Sequence, residues 1–170
     1  MDTRCYTRAL AAGALGALLA ATAAAGEVRV HFVEPQRFTD AGFASADRER
    51  ALATLRSHLE QRGRDWLADG LRLDVDVLDV DLAGRERPGR ARDLRVLDGR
   101  VDAPRLQLRY TLRAGERVLA SGEQRLTDLG YLDRLSPTQR GEPLAHERRL
   151  LDDWLAATVL PLARAPGGPG

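Results

Sequence analysis

The chain is 170 residues long, with 26 basic against 25 acidic side chains and a formal net charge of +1. That length holds one domain without a second core. The charge balance excludes a general nucleic-acid binder, and a hydrophobic fraction of 44% excludes wholesale disorder. Every basic residue is Arg, and Lys, Asn and Ile are absent, so the Arg count reflects a compositional bias more than a choice of partner.

Residues 1–25 read as a secretory signal peptide. Arg4 and Arg8 precede an Ala/Leu/Gly run broken only by Thr22, which closes on the cleavage pattern Ala23-Ala24-Ala25-Gly26. The run is short for a bilayer core of about 30 Å, so no stable membrane span is expected after cleavage. Cys5 lies ahead of the run and leaves with it. The remaining chain carries 24 Arg against 24 acidic residues and no Cys, which removes disulfides and thiol chemistry. The expected location is the periplasm.

Residues 28–33 alternate Val28, Val30 and Phe32 with Arg29 and His31, which predicts a strand ended by Pro35. A loop over 36–46 places Phe38 and Phe43 under the edge of the core. Ala51, Leu52, Leu55 and Leu59 fall at helical spacing, predicting a helix capped by Asp47 and stopped by Gly63. Residues 71–82, LRLDVDVLDVDL, are the clearest strand. Leu71, Leu73, Val75 and Val77 share one face; Leu78, Val80 and Leu82 continue the pattern shifted by one, and a β-bulge near Val77 and Leu78 restores the phase. Residues 83–93 read as a Gly/Pro/Arg loop. Leu106, Leu108, Tyr110 and Leu112 alternate with polar residues, and Ala114-Gly115-Glu116 turns into a hairpin partner over 117–127. After a polar loop, Pro143 opens a closing helix with Leu144, Leu151, Trp154, Leu155 and Val159 on one stripe; Pro161 ends it and 161–170 is a disordered tail. The order β-α-β-β-β-α predicts one α+β domain over 26–160, a two-layer sandwich with an antiparallel-rich sheet and two helices on one face.

The stretch LDVDVLDVDLAG at 73–84, then Pro88, DLRVL at 93–97, APRLQLRYTL at 103–112, SGEQRLTDLGYL at 121–132 and EPLAHERRLLDDWL at 142–155 together resemble a secreted proteobacterial domain-of-unknown-function family, numbered three thousand and sixteen. Ala103 stands before Pro104 where the family pattern has Trp. The resemblance implies an exported, accessory-type domain and carries over no functional residue.

Five patterns invite chemistry. Asp74, Asp76, Asp79 and Asp81 share the solvent face of one strand and pose as calcium ligands. A strand spreads its carboxylates and commits its carbonyls to the ladder, so pairing with Arg105, Arg109 and Arg113 of the neighbouring strand is the stronger expectation. Arg87, Arg90 and Arg92 are anion-binding candidates within the basic run 85–95, because the guanidinium fork suits oxyanions. His31, His58 and His146 are scattered, with no metal-ligand spacing, no nucleophile elbow and no phosphate loop nearby. Glu147, Asp152 and Asp153 read as a solvated helix face. Trp66, Trp154 and Tyr110 read as packing residues, which leaves Tyr131, with Asp128 beside it, as interaction candidates in the loop before the last helix.

No enzymatic machinery and no cofactor motif is visible. The expectation is a non-catalytic periplasmic binding or envelope-assembly module whose partner is another envelope protein, met at a sheet edge or at the loop over 130–141. The alternatives are an envelope hydrolase with an unrecognised acid/base site, or a metal- or anion-binding module using the Asp74–Asp81 face or the Arg85–Arg95 loop.

Overall fold

The computed structural model describes residues 25–87, 94–136 and 138–164. Residues 1–24 of the expected leader, Arg90, Arg92 and the end of the expected tail lie outside the described residues. In chain order come β1 (Glu27–Phe32), α1 (Ser45–Trp66), β2 (Leu71–Asp81), β3 (Arg85–Arg87), β4 (Leu94–Val96), β5 (Arg105–Ala114), β6 (Arg117–Thr127) and α2 (Ala145–Trp154). A π-helical turn (Leu155–Val159) carries α2 into the short α3 (Leu160–Ala163). The main sheet has the order β1-β2-β5-β6, and β3 and β4 form a small antiparallel pair. The class is α+β, as the alternation patterns predict. The main sheet is mixed, because β1 joins β2 in parallel through the α1 crossover while the other pairs are antiparallel.

The phase shift legible in β2 is a real bulge. Pairing with β5 slips between Val77 and Asp79, so Leu71, Leu73, Val75 and Val77 before it and Val80 after it all reach the core. Against them pack Leu52, Leu55 and Leu59 of α1, Leu150, Leu151 and Trp154 of α2, and Leu155 and Val159 of the π turn. Leu73, Val80, Leu108, Leu112 and Val159 are fully sequestered, each such side chain contributing about 1.5–3 kcal/mol of burial. Trp154 meets Tyr110 edge-on at 5.8 Å, and Gly122 opposite Tyr110 leaves room for the ring.

Several local expectations need correction. Helix α1 runs through Gly63 to Trp66 and starts at Ser45, with Asp47 in its first turn. Gly63 is there for a close approach: a Cβ on it would lie 2.4 Å from Val28 Cγ2, so glycine lets β1 press against the helix. Pro143 lies outside α2, which begins after Leu144 has turned left-handed at φ 51°. Pro161 does not end the helical run, which continues to Ala163. The wider π turn before it relieves the clash of the proline ring with the preceding turn. Part of the stretch read as a loop over 83–93 forms β3. Phe38 does pack, edge-on to Phe32, but Phe43 is 78% exposed.

Candidate functional site

The four aspartates of β2 stand opposite Thr111, Arg109, Gln107 and Arg105, all on the face away from the helices. Arg113 reaches Asp74 at 3.4 Å, Arg109 reaches Asp76 at 3.9 Å and Arg105 reaches Asp81 at 3.1 Å. Asp79 accepts from the backbone N–H and the hydroxyl of Thr39, at 2.7 and 2.8 Å. Burial pushes the Asp81 carboxyl above its ordinary range, with Arg105 working against the shift. Three of the four aspartates thus meet the expected arginines of β5 and the fourth is held by Thr39, and among the described residues no three acidic, His or Cys side chains converge on one point.

A second cluster assembles where the segment after β1 crosses the end of β2. Asp40 donates its N–H to the Val80 carbonyl and its own carbonyl accepts from Leu82 N–H, which stitches this segment alongside the strand. Arg95, projecting from β4, clamps Asp40 with both terminal nitrogens at 2.9 and 3.1 Å. It also donates to Glu86 at 3.0 Å and to the carbonyls of Ala83 and Gly84 at 3.2 and 3.0 Å. The guanidinium fork is suited to this because it presents five donors in one plane. Beneath it, Glu147 is 2% exposed and accepts from Ala83 N–H at 2.7 Å. Burial lifts its pKa, and that hydrogen bond and Arg95 offset only part of the rise. The solvated face expected of Glu147 is thus wrong, because the helix turns this position toward the loop over 82–86.

Over this floor opens a cleft of about 500 Å³, bordered by Phe43, Val101, Arg48, Arg85 and Arg105. Phe43 and Val101 remain 78% and 68% exposed on its rim. The carboxylates Asp40, Glu86 and Asp81 have arginine partners. Arg48 and Arg85 have no ion-pair partner among the described residues. The arrangement therefore offers an apolar rim beside two uncommitted guanidinium groups.

The helices meet over a third cluster. His58 on α1 is 6% exposed; its Nε2 lies 2.7 Å from Asp152 Oδ1, and Arg148 Nε donates to its Nδ1 at 3.2 Å. Arg62 grips Asp152 with two bonds, at 2.8 and 3.0 Å. Burial pushes the Asp152 carboxyl up, but donation from His58 and Arg62 outweighs it and holds the pKa below the usual carboxylate range. Since Arg148 can only donate, Nδ1 holds a lone pair and Nε2 carries the proton that Asp152 accepts. Both ring nitrogens are committed, which leaves none to take a proton from a substrate. A small cavity of about 210 Å³ opens beside this network.

Tyr131, an interaction candidate in the loop before the last helix, is 1% exposed. Its hydroxyl donates to Asp102 at 2.8 Å and accepts from Gly99 N–H at 3.4 Å, and His146 stacks edge-on at 4.6 Å. Burial and the bond to Asp102 push its pKa to about 12. It cannot present a ring to a partner; it locks the loop before the last helix to the turn over 98–102. Asp128 is largely occupied as well, accepting from Gly130 N–H and Arg134, both at 3.0 Å. The large apolar neighbours left exposed are Leu129 and Leu132. Of the three anion candidates, Arg87 is exposed on β3, 3.9 Å from Asp98. Arg90 and Arg92 lie outside the described residues.

Sequence reasoning missed the helix–helix network and the Arg95 clamp. The first had a signal: His58 and Arg62, like Arg148 and Asp152, are four residues apart and share one helix face. The second had none, because Asp40, Glu86 and Arg95 come from separate loops and strands.

Among the described residues no helix is long and apolar enough to cross a membrane. No curated protein and no solved structure matches the chain. A family model does match, over residues 26–157, and covers every cluster described above. The chain therefore belongs to the family described as protein of unknown function (DUF3016).

Proposed function

We propose that the chain is a non-catalytic binding or envelope-assembly accessory domain of the periplasm, exported by cleavage after Ala25, which holds a segment of another envelope protein in the Phe43–Val101 cleft. The segment it fits is extended, with an apolar side chain next to a carboxylate. One observation carries this reading: Phe43 and Val101 are left exposed beside Arg48 and Arg85, while the other charges of the cleft are internally paired. Exposed apolar side chains grouped on the rim of a cleft suit an interaction site, and guanidinium groups with no carboxylate partner among the described residues are ready for an incoming anion. The committed nitrogens of His58 support a binding role over a hydrolytic one.

The test places a photo-crosslinking amino acid at Phe43 or Val101 in living cells. The expected result is one specific adduct with an envelope protein. The crosslinked segment, made as a synthetic peptide, binds the purified domain and loses about tenfold or more in affinity to the Arg48→Ala/Arg85→Ala variant. Recovery of uncrosslinked monomer alone, or peptide binding indifferent to both arginines, overturns the reading.

A further inference from the structure

Strand β6 is paired with β5 on one side and has no strand on the other among the described residues. It runs for 11 residues and contains no Pro, one of the usual means of blunting a sheet edge, and its bulge at Leu119 lies toward the start of the strand, away from Gln124. Its outward backbone donors and acceptors are a template for another strand, and the charges on its polar face select which one.

His31, Asp76, Arg109 and Glu123 stand directly opposite one another across the four strands. Successive side chains approach to 3.4, 3.9 and 3.5 Å; Asp76, Arg109 and Glu123 alternate in sign, and the row stops at the Glu123 carboxylate on the sheet edge. Two positions along, Asp79, Gln107 and Arg125 form a second row, with Arg125 Nη2 donating to Gln107 at 3.5 Å. That row stops at a guanidinium. The edge therefore ends in a negative and a positive group two residues apart on the same face.

We propose that β6 pairs antiparallel with β6 of a second copy of this chain, centred on Gln124, to give one continuous sheet through both copies. This register sets Glu123 of each copy opposite Arg125 of the other, so the two rows meet across the junction on groups of opposite sign. It also sets Ser121 opposite Thr127 and Leu126 opposite Gly122. Moving the centre by one residue brings Glu123 onto Glu123 or Arg125 onto Arg125, which cross-strand repulsion disfavours. The pairing is two-fold and self-complementary, as an isologous interface requires. It lies on a different part of the molecule from the Phe43–Val101 cleft and does not depend on it.

The test is sedimentation equilibrium on the purified protein, with variants confirmed as folded by circular dichroism. The parent shows a concentration-dependent dimer. Glu123→Arg alone and Arg125→Glu alone each turn two attractions into two repulsions and raise the dimer dissociation constant by about tenfold or more. Mixing these two variants restores association as a heterodimer, because every facing pair is again opposite in sign. Hydrogen exchange slows in β6 on dimerisation and not in β1. A parent that stays monomeric throughout the series overturns the proposal. So does a dimer indifferent to the charge reversals, a mixture that does not recover, or protection appearing at β1 in place of β6.

Discussion

Arg95 holds together the end of β2, the segment around Asp40 and the β3–β4 pair, and its removal isolates what keeps the cleft in shape. Arg95→Ala takes away the two-pronged bond to Asp40, the bond to Glu86 and the donors to Ala83 and Gly84 carbonyls. Deleting one partner of a buried ion pair costs about 3–5 kcal/mol, because the remaining charge keeps its desolvation penalty. Here the Asp40 and Glu86 side chains retain 28% and 23% of their exposure and rehydrate in part. The expected loss is therefore about 2–4 kcal/mol, or roughly 8–16 °C in melting temperature for a domain of this size. Arg95→Lys keeps the charge but offers one nitrogen where two are needed, and it is expected to recover less than half of the loss. Urea unfolding monitored by tryptophan fluorescence measures both variants. A loss below about 1 kcal/mol, or full recovery with Lys, would refute the clamp, since neither is compatible with a bidentate bond to a half-buried carboxylate.

Two further outcomes follow from buried polar groups. Tyr131→Phe removes the hydroxyl that donates to Asp102, and is expected to lower stability by about 1.5–3 kcal/mol; in the parent, ultraviolet titration should show one tyrosine ionising only near about 12. A loss near zero in the thermal unfolding of this variant would mean that solvent already satisfies Asp102. Glu147 has a folded pKa raised by burial, so its contribution is fully present below the unfolded value of about 4.3 and is lost as pH rises through the folded value. Glu147→Gln keeps an acceptor for Ala83 N–H and removes that loss. It is expected to melt higher than the parent near neutral pH, with the difference closing as pH falls toward about 4. A difference that does not change with pH counts against a charge-based origin.

Periodicity made the sheet readable. The alternation in β2 and β5, and even the slip beside Leu78, follow from which residues are apolar, because a one-residue step flips every side chain. The aspartate face was readable for the same reason. What periodicity could not convey is what stands on the far side of a residue. Gly63 looks like a helix stop until β1 is placed against it, and Tyr131 looks like a loop aromatic until the turn at Gly99 and Asp102 closes over it. Glu147 follows helix polarity rules for a surface residue, yet its position faces a loop end that needs an acceptor. Arg95 sits in a basic run whose composition hides that its neighbours in space are Asp40 and Glu86.

The bulge in β2 constrains how this strand can vary in length. It lets Leu73 and Val80, seven positions apart, face the same core, while Asp79 meets Thr39 and Asp81 meets Arg105. Inserting or deleting one residue before the bulge would turn one half of the strand inside out relative to the other. Changing the length by two would preserve both faces and merely move the junction with the Asp40 segment along the chain. Length variation here is thus quantised in pairs, and odd steps are open to the strand only together with the loss or gain of the bulge itself.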